Sequence, residues 1–140
     1  MGKMGKYGEA AVKAFELLAA YVVEEPIEAW KKATIEIFEL GTSGQLKGCP
    51  KDAFLGLCEE GLIKGIPPRK YSRSKKNKQY AVRAVEILKK HPELLSDKQA
   101  LWRAVVGMQK AHNQQMDVVV ELWKMNLIDV RDQVEVISRK

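Results

Sequence analysis

The stretch Asn113-Gln114-Gln115-Met116-Asp117-Val118-Val119-Val120-Glu121-Leu122-Trp123-Lys124-Met125-Asn126-Leu127 decides the fold class. Its residues Met116, Val119, Val120, Trp123 and Leu127 fall at i, i+3, i+4, i+7 and i+11, the spacing that gathers side chains on one face of an α-helix. Asn113 is the expected N-cap, because a short side-chain oxygen there can accept from an orphan backbone N–H of the first turn.

Upstream the same period recurs. Ser96-Asp97-Lys98-Gln99 reads as a capping box, with Ser96 as the cap and Gln99 reaching back, followed by Leu101, Trp102, Val105 and Met108 as a buried face. From about Lys75 a helix runs through Ala81, Val85 and Leu88 and stops at His91-Pro92, since proline lacks the N–H that would continue it. Ala11, Phe15, Leu18 and Val22 predict a first helix. Ile27, Trp30, Ile37 and Phe38 predict a second, opening at Pro26 and ending near Leu40.

Between these lie the connections. Residues 41–49 hold three glycines and a Thr-Ser pair and read as a loop. Pro50 then opens a third helix with Ala53, Phe54, Leu57 and Cys58 inward and Gly61 as its stop. Gly65, Pro67 and Pro68 make residues 62–74 a fixed, partly extended connection, with Leu62, Ile63 and Ile66 tucked into the core. After Leu127, Val130, Val134 and Ile137 suit a last helix, while Ile128, Val130, Val134 and Val136 alternate as a strand does.

The sum is an all-α protein: one compact bundle of six to seven helices, not a simple up-down four-helix bundle, with short extended segments at 62–67 and 128–136. One domain spans residues 1–140, with 1–5 as a disordered start and 129–140 as a C-terminal helix or tail. At 140 residues the chain can bury roughly two-thirds of its unfolded surface without a disulfide framework. The three tryptophans, Trp30, Trp102 and Trp123, sit on apolar stripes and read as core, where an indole supplies large buried area.

Composition excludes several classes. No apolar run approaches the ~20 residues that span a bilayer, and no short apolar stretch follows a basic start, so a cytoplasmic protein that does not engage a membrane is expected. Met1-Gly2-Lys3 opens like a myristoylation site, but Lys6 stands where Ser or Thr is required. Cys49 and Cys58 are too far apart for a CxxC site, so free thiols and no metal are expected. No P-loop, GxGxxG, HExxH or GxSxG motif occurs, and no cofactor is expected.

The formal charge of +6 is unevenly spread. Residues 1–62 carry −3 and residues 91–140 are neutral, whereas residues 63–90 carry ten cations against Glu86 alone, a local +9. Like charges so close repel, so the cluster persists at low cost only if it is well solvated or meets anions. Arg69, Lys70, Arg73, Lys75, Lys76, Lys78 and Arg83, with Tyr71 and Tyr80 among them, offer the cationic and aromatic contacts that hold phosphates and stack on bases. Within this region, residues 64–90, the dense run Arg69 to Lys78 leads into the helix N-terminus near Lys75, whose dipole adds to the attraction for phosphate. The expected function is a non-enzymatic module binding nucleic acid or another polyanion. The plain alternative is a lysine-rich solvated surface. Helix-turn-helix spacing and the RRM and KH motifs are absent.

Two further functions stand beside it. Cys49 precedes Pro50 at a helix N-terminus, where the dipole favours a thiolate, and His112 could serve as its base with Asp117 orienting the ring. Local turn formation accounts for His112 and Asn113 without catalysis, and His91 at a helix end reads as structural or solvent-exposed. In the other function, Val130, Val134 and Ile137 form the interface of a partner-binding or homodimeric module.

Gly48-Cys49-Pro50, Ala53-Phe54-Leu55-Gly56-Leu57-Cys58-Glu59, Gly61-Leu62-Ile63-Lys64-Gly65-Ile66-Pro67 and Lys110-Ala111-His112-Asn113-Gln114-Gln115-Met116-Asp117-Val118-Val119 resemble a family of small bacterial proteins grouped as a domain of unknown function. The likeness covers roughly residues 4 to 128. It implies a bacterial, cytoplasmic origin and carries no assigned activity, cofactor or catalytic residue.

Overall fold

The computed structural model describes residues 5–71, 74–107 and 114–130. In chain order these form α1 (Lys6–Ala19), α2 (Pro26–Phe38), the single-turn α3 (Ser43–Leu46), α4 (Gly48–Glu59), α5 (Lys75–Lys90), a 3-10 turn (Pro92–Ser96), α6 (Lys98–Val106) and α7 (Gln115–Lys124). The protein is all-α, with six helices of nine residues or more and no strand among the described residues.

Helix α7 is the axis of the bundle, packed against α1, α4, α5 and α6. Seven of its ten residues are buried, Val118 and Leu122 included, so the single stripe read from the sequence widens into burial on nearly every side. Trp123, on that stripe, is only half-buried. Close approach of α1 needs Gly8: a Cβ there would stand 2.2 Å from Glu121 Cγ and 2.8 Å from its Cβ. Beyond α1 lies α2, against which it packs through small residues, with Ala10, Ala11, Ala14, Ala29 and Ala33 all fully buried. Trp30 stacks on Phe54 of α4 with ring centroids 5.4 Å apart, joining the α1/α2 pair to the rest. Each such large apolar side chain contributes about 1.5–3 kcal/mol by leaving water.

Several local expectations are corrected. Helix α1 ends at Ala19, and Tyr21 takes a left-handed φ of 60°, so Val22 is 61% exposed and Val23 fills the buried place. Ile27 is 47% exposed because α2 turns its alanines and Trp30 inward. Residues 41–49 hold α3, capped by the Thr42 hydroxyl, which accepts from Gln45 N. Helix α4 begins two residues before Pro50. The cap of α6 is Asp97, whose carboxylate accepts from Ala100 N at 3.0 Å, while Ser96 donates to Glu93 O. A carboxylate is the stronger acceptor and bears the charge that the helix dipole favours. Asn113, Met108 and residues 131–140, with Val134, Val136 and Ile137, lie outside the described residues.

The connection after α4 is extended, as its prolines require. Ile63 and Ile128 form an antiparallel bridge, in which Asp129 N donates to Leu62 O at 2.7 Å and Lys64 N donates to Leu127 O at 2.9 Å. Leu62, Ile63 and Ile66 are buried. This bridge fixes where the chain leaves the core before it turns into α5.

Candidate nucleic-acid interface

Helix α5 is amphipathic. Ala81, Ala84, Val85 and Leu88 are buried, and Lys75, Lys76, Arg83 and Lys90 are exposed. Ser74 caps it, its hydroxyl accepting from Asn77 N at 3.2 Å.

The orientation of α5 is set from α4. At their crossing Gly56 has no side chain, and a Cβ there would lie 2.7 Å from Lys78 Cα, Cβ and Cγ. The Lys78 side chain then reaches Glu59 Oε2 at 2.7 Å and Glu60 Oε2 at 2.9 Å. Hydrogen bonds to Glu59 and then Glu60 hold its ammonium above the ordinary lysine range. The other oxygen of Glu59 accepts from Tyr71 N at 2.9 Å, and the Tyr71 hydroxyl donates to Pro67 O at 2.7 Å. One carboxylate thus ties both the extended connection and α5 to α4. Asn77 adds a third tie, its Oδ1 accepting from Gln115 Nε2 of α7 at 3.0 Å.

With Lys78 paired to Glu59 and Glu60, the cations of residues 63–90 separate into two sets. Arg69 meets Glu25 at 3.4 Å, Lys89 meets Glu86 at 3.3 Å, and Lys64 donates to Asn126 Oδ1 at 3.1 Å. Among the described residues no carboxylate stands within ion-pair distance of Lys75, Lys76, Arg83 or Lys90. Lys76, Arg83 and Lys90 are seven residues apart, two helical turns, so they line one face at intervals of ~10.5 Å along the axis. Lys70 is exposed on the connection, and Arg73 lies outside the described residues.

Beside this row runs an open groove of ≈ 930 Å³, lined by Tyr80, Val82, Arg83, Ile87, Lys90 and Val105 among others. Tyr80 is half-buried, its ring set edge-on to Trp102 with centroids 5.3 Å apart. The sequence placed Tyr80 with the cations. It did not show that Val105, from α6, completes the wall, because that needs the α5/α6 packing.

The thiol candidates are placed differently. Cys49 is half-buried in the first turn of α4, and Cys58 is fully buried, its thiol pushed far up by desolvation. His112 lies outside the described residues. The Asp117 carboxylate accepts from Lys98 Nζ at 2.8 Å and so joins α6 to α7. Among the described residues no group of three or more His, Cys, Asp or Glu could hold a metal ion, and no helix is long and apolar enough to cross a membrane.

A second, smaller cavity of ≈ 370 Å³ lies between α2, α3 and α4, with Ile27, Trp30, Leu40, Leu46 and Lys51 in its walls. Trp30 Nε1 is buried without an acceptor among the described residues, which costs about 1–3 kcal/mol. No sequence signal marked this cavity.

The fold and its exposed helix define an all-α protein with a cationic face. The chain belongs to DUF6979, a family of unknown function whose model matches residues 4–129. No curated protein and no solved structure matches it.

Proposed function

We propose that the protein binds nucleic acid through the exposed face of α5, holding phosphates with Lys75, Lys76, Arg83 and Lys90. The observation that carries this reading is the register of Lys76, Arg83 and Lys90 along one helix face, without carboxylate partners among the described residues, while Lys78, Arg69 and Lys89 are matched. Lys78 leaves the set of contact residues and becomes a positioning residue for the helix. Glu86 interrupts the row, and its pairing with Lys89 keeps part of its charge from the phosphates.

Phosphate contacts release counterions, so four of them give a slope of log affinity against log salt of about −3. The test is a salt titration of labelled RNA and DNA against the wild type and the triple variant Lys76→Glu, Arg83→Glu, Lys90→Glu. The variant is expected to lose at least tenfold in affinity at low salt. Equal binding by both proteins, or no binding by the wild type at low salt, overturns the reading.

A further inference from the structure

The groove beside the cationic row is larger than phosphate contact requires, and although Glu60, Lys78, Glu86 and His91 stand in its lining, most of its surface is apolar. Val82, Ile87 and Val105 supply apolar surface, and Tyr80 supplies an aromatic ring locked by its edge-on contact with Trp102. Arg83 and Lys90 belong both to the groove lining and to the cationic row. A strand tracking the row is therefore brought alongside an apolar slot. Gln79 also lines the slot and offers both a donor and an acceptor for the edge of a planar heterocycle.

A duplex keeps its bases stacked inside and presents phosphates and groove edges, so it would leave this apolar surface in water. An unpaired base can swing out, bury a π-face against the walls and leave its phosphate by a cation, the combination found in single-strand binders. A ring already fixed in place loses little side-chain freedom when a base docks. An acidic peptide without aromatic residues would satisfy the cations but has no planar body for the slot.

We infer that the groove between α5 and α6 accepts an unpaired base, so that the nucleic acid held along α5 is single-stranded. This rests on the cationic-face reading and names the form of its ligand.

The experiment compares fluorescence anisotropy of one dye-labelled sequence as a single strand and as a duplex, at a fixed near-physiological salt concentration, with unlabelled heparin and poly-glutamate as competitors. The single strand is expected to bind at least tenfold tighter than the duplex. Tyr80→Leu is expected to weaken single-strand binding about five- to a hundredfold and leave duplex binding unchanged. Because Tyr80 also packs on Trp102, a second measurement leaves the protein unaltered: photocrosslinking of a bromouracil-substituted single strand is expected to label residues lining the groove. Equal binding of single strand and duplex, crosslinks only elsewhere, or displacement by poly-glutamate as effective as by unlabelled single strand overturns the inference while the cationic face stands. Loss of both nucleic acids in Lys76→Glu, Arg83→Glu, Lys90→Glu, with Tyr80→Leu selective, supports both. Failure of the wild type to bind either form removes the cationic-face reading and this one together.

Discussion

Helices α5 and α7 pack against each other, yet they treat their residues in opposite ways. In α7 seven of ten residues are buried, and in α5 four of sixteen. Both carry an apolar stripe, and both have polar residues between. The difference lies in what surrounds them. Helix α7 has α1, α4, α5 and α6 around it, so even Gln115 and Glu121 are drawn inside. Helix α5 packs on α4, α6 and α7 and leaves Lys75, Lys76, Arg83 and Lys90 exposed. A helix enclosed by others serves the fold, and a helix left open on one side is free to carry charge.

The sharpest way to break this contrast is to truncate one residue on each helix. Leu122→Ala in α7 should destabilise by about 2–5 kcal/mol through lost burial and a residual cavity, read as a lower midpoint in urea. Arg83→Ala on the open face of α5 should change stability by no more than about 0.5 kcal/mol. Comparable losses in the two variants would show that the faces are not divided as described.

A smaller effect is expected where the two roles meet. Gly56→Ala puts a Cβ against the backbone of Lys78, which cannot swing away as a side-chain tip can, so α5 must shift. The expected cost is about 1–3 kcal/mol, and on the proposed function nucleic-acid binding should weaken as well because the cationic row moves. Stability unchanged from wild type in thermal unfolding would contradict so close a crossing.

The smallest effect concerns Glu59. Glu59→Gln should cost about 1 kcal/mol at neutral pH, since Lys78 retains Glu60 as a partner. The folded protein holds the Lys78 ammonium above its ordinary value of 10.5. Its contribution is therefore complete below pH 10.5 and is lost as pH rises through the higher folded value. The gap in stability between wild type and Glu59→Gln should stay constant from pH 7 to pH 10 and narrow above that. A gap that widens at high pH would reverse the sign argued for this pair.

Much of the fold was legible from spacing. The period through Ala81, Val85 and Leu88 placed α5, and the prolines at 67 and 68 placed the extended connection, because both signals act within a few residues of themselves. Legibility failed at Val22 and Ile27, whose apolar character predicted burial. They follow α1 and open α2, where the turn at Tyr21 and the inward alanines decide which residues face the core. It failed again at Ser96, since Ser96 and Asp97 are both competent caps and one residue of register selects between them.

For the candidate site, the cations were legible and their roles were not. Lys76 and Lys78 are two residues apart and chemically identical. One is exposed and the other is taken by Glu59 and Glu60, because positions two apart point to different sides of a helix and only one side meets α4. The groove was hidden for the same reason, since Val105 joins Tyr80 and Ile87 in its lining only through the packing of α6 on α5.

By itself the sequence determined the helical class, the position of the main helices and the concentration of positive charge between residues 63 and 90, because periodicity and composition are properties of neighbouring residues. Only the tertiary structure decided which of those charges are neutralised and which face outward beside an apolar groove. For Arg69, Lys78 and the groove that choice depends on Glu25, on Glu59 and Glu60, and on Val105 of α6, groups distant along the chain and brought together by burial of the core.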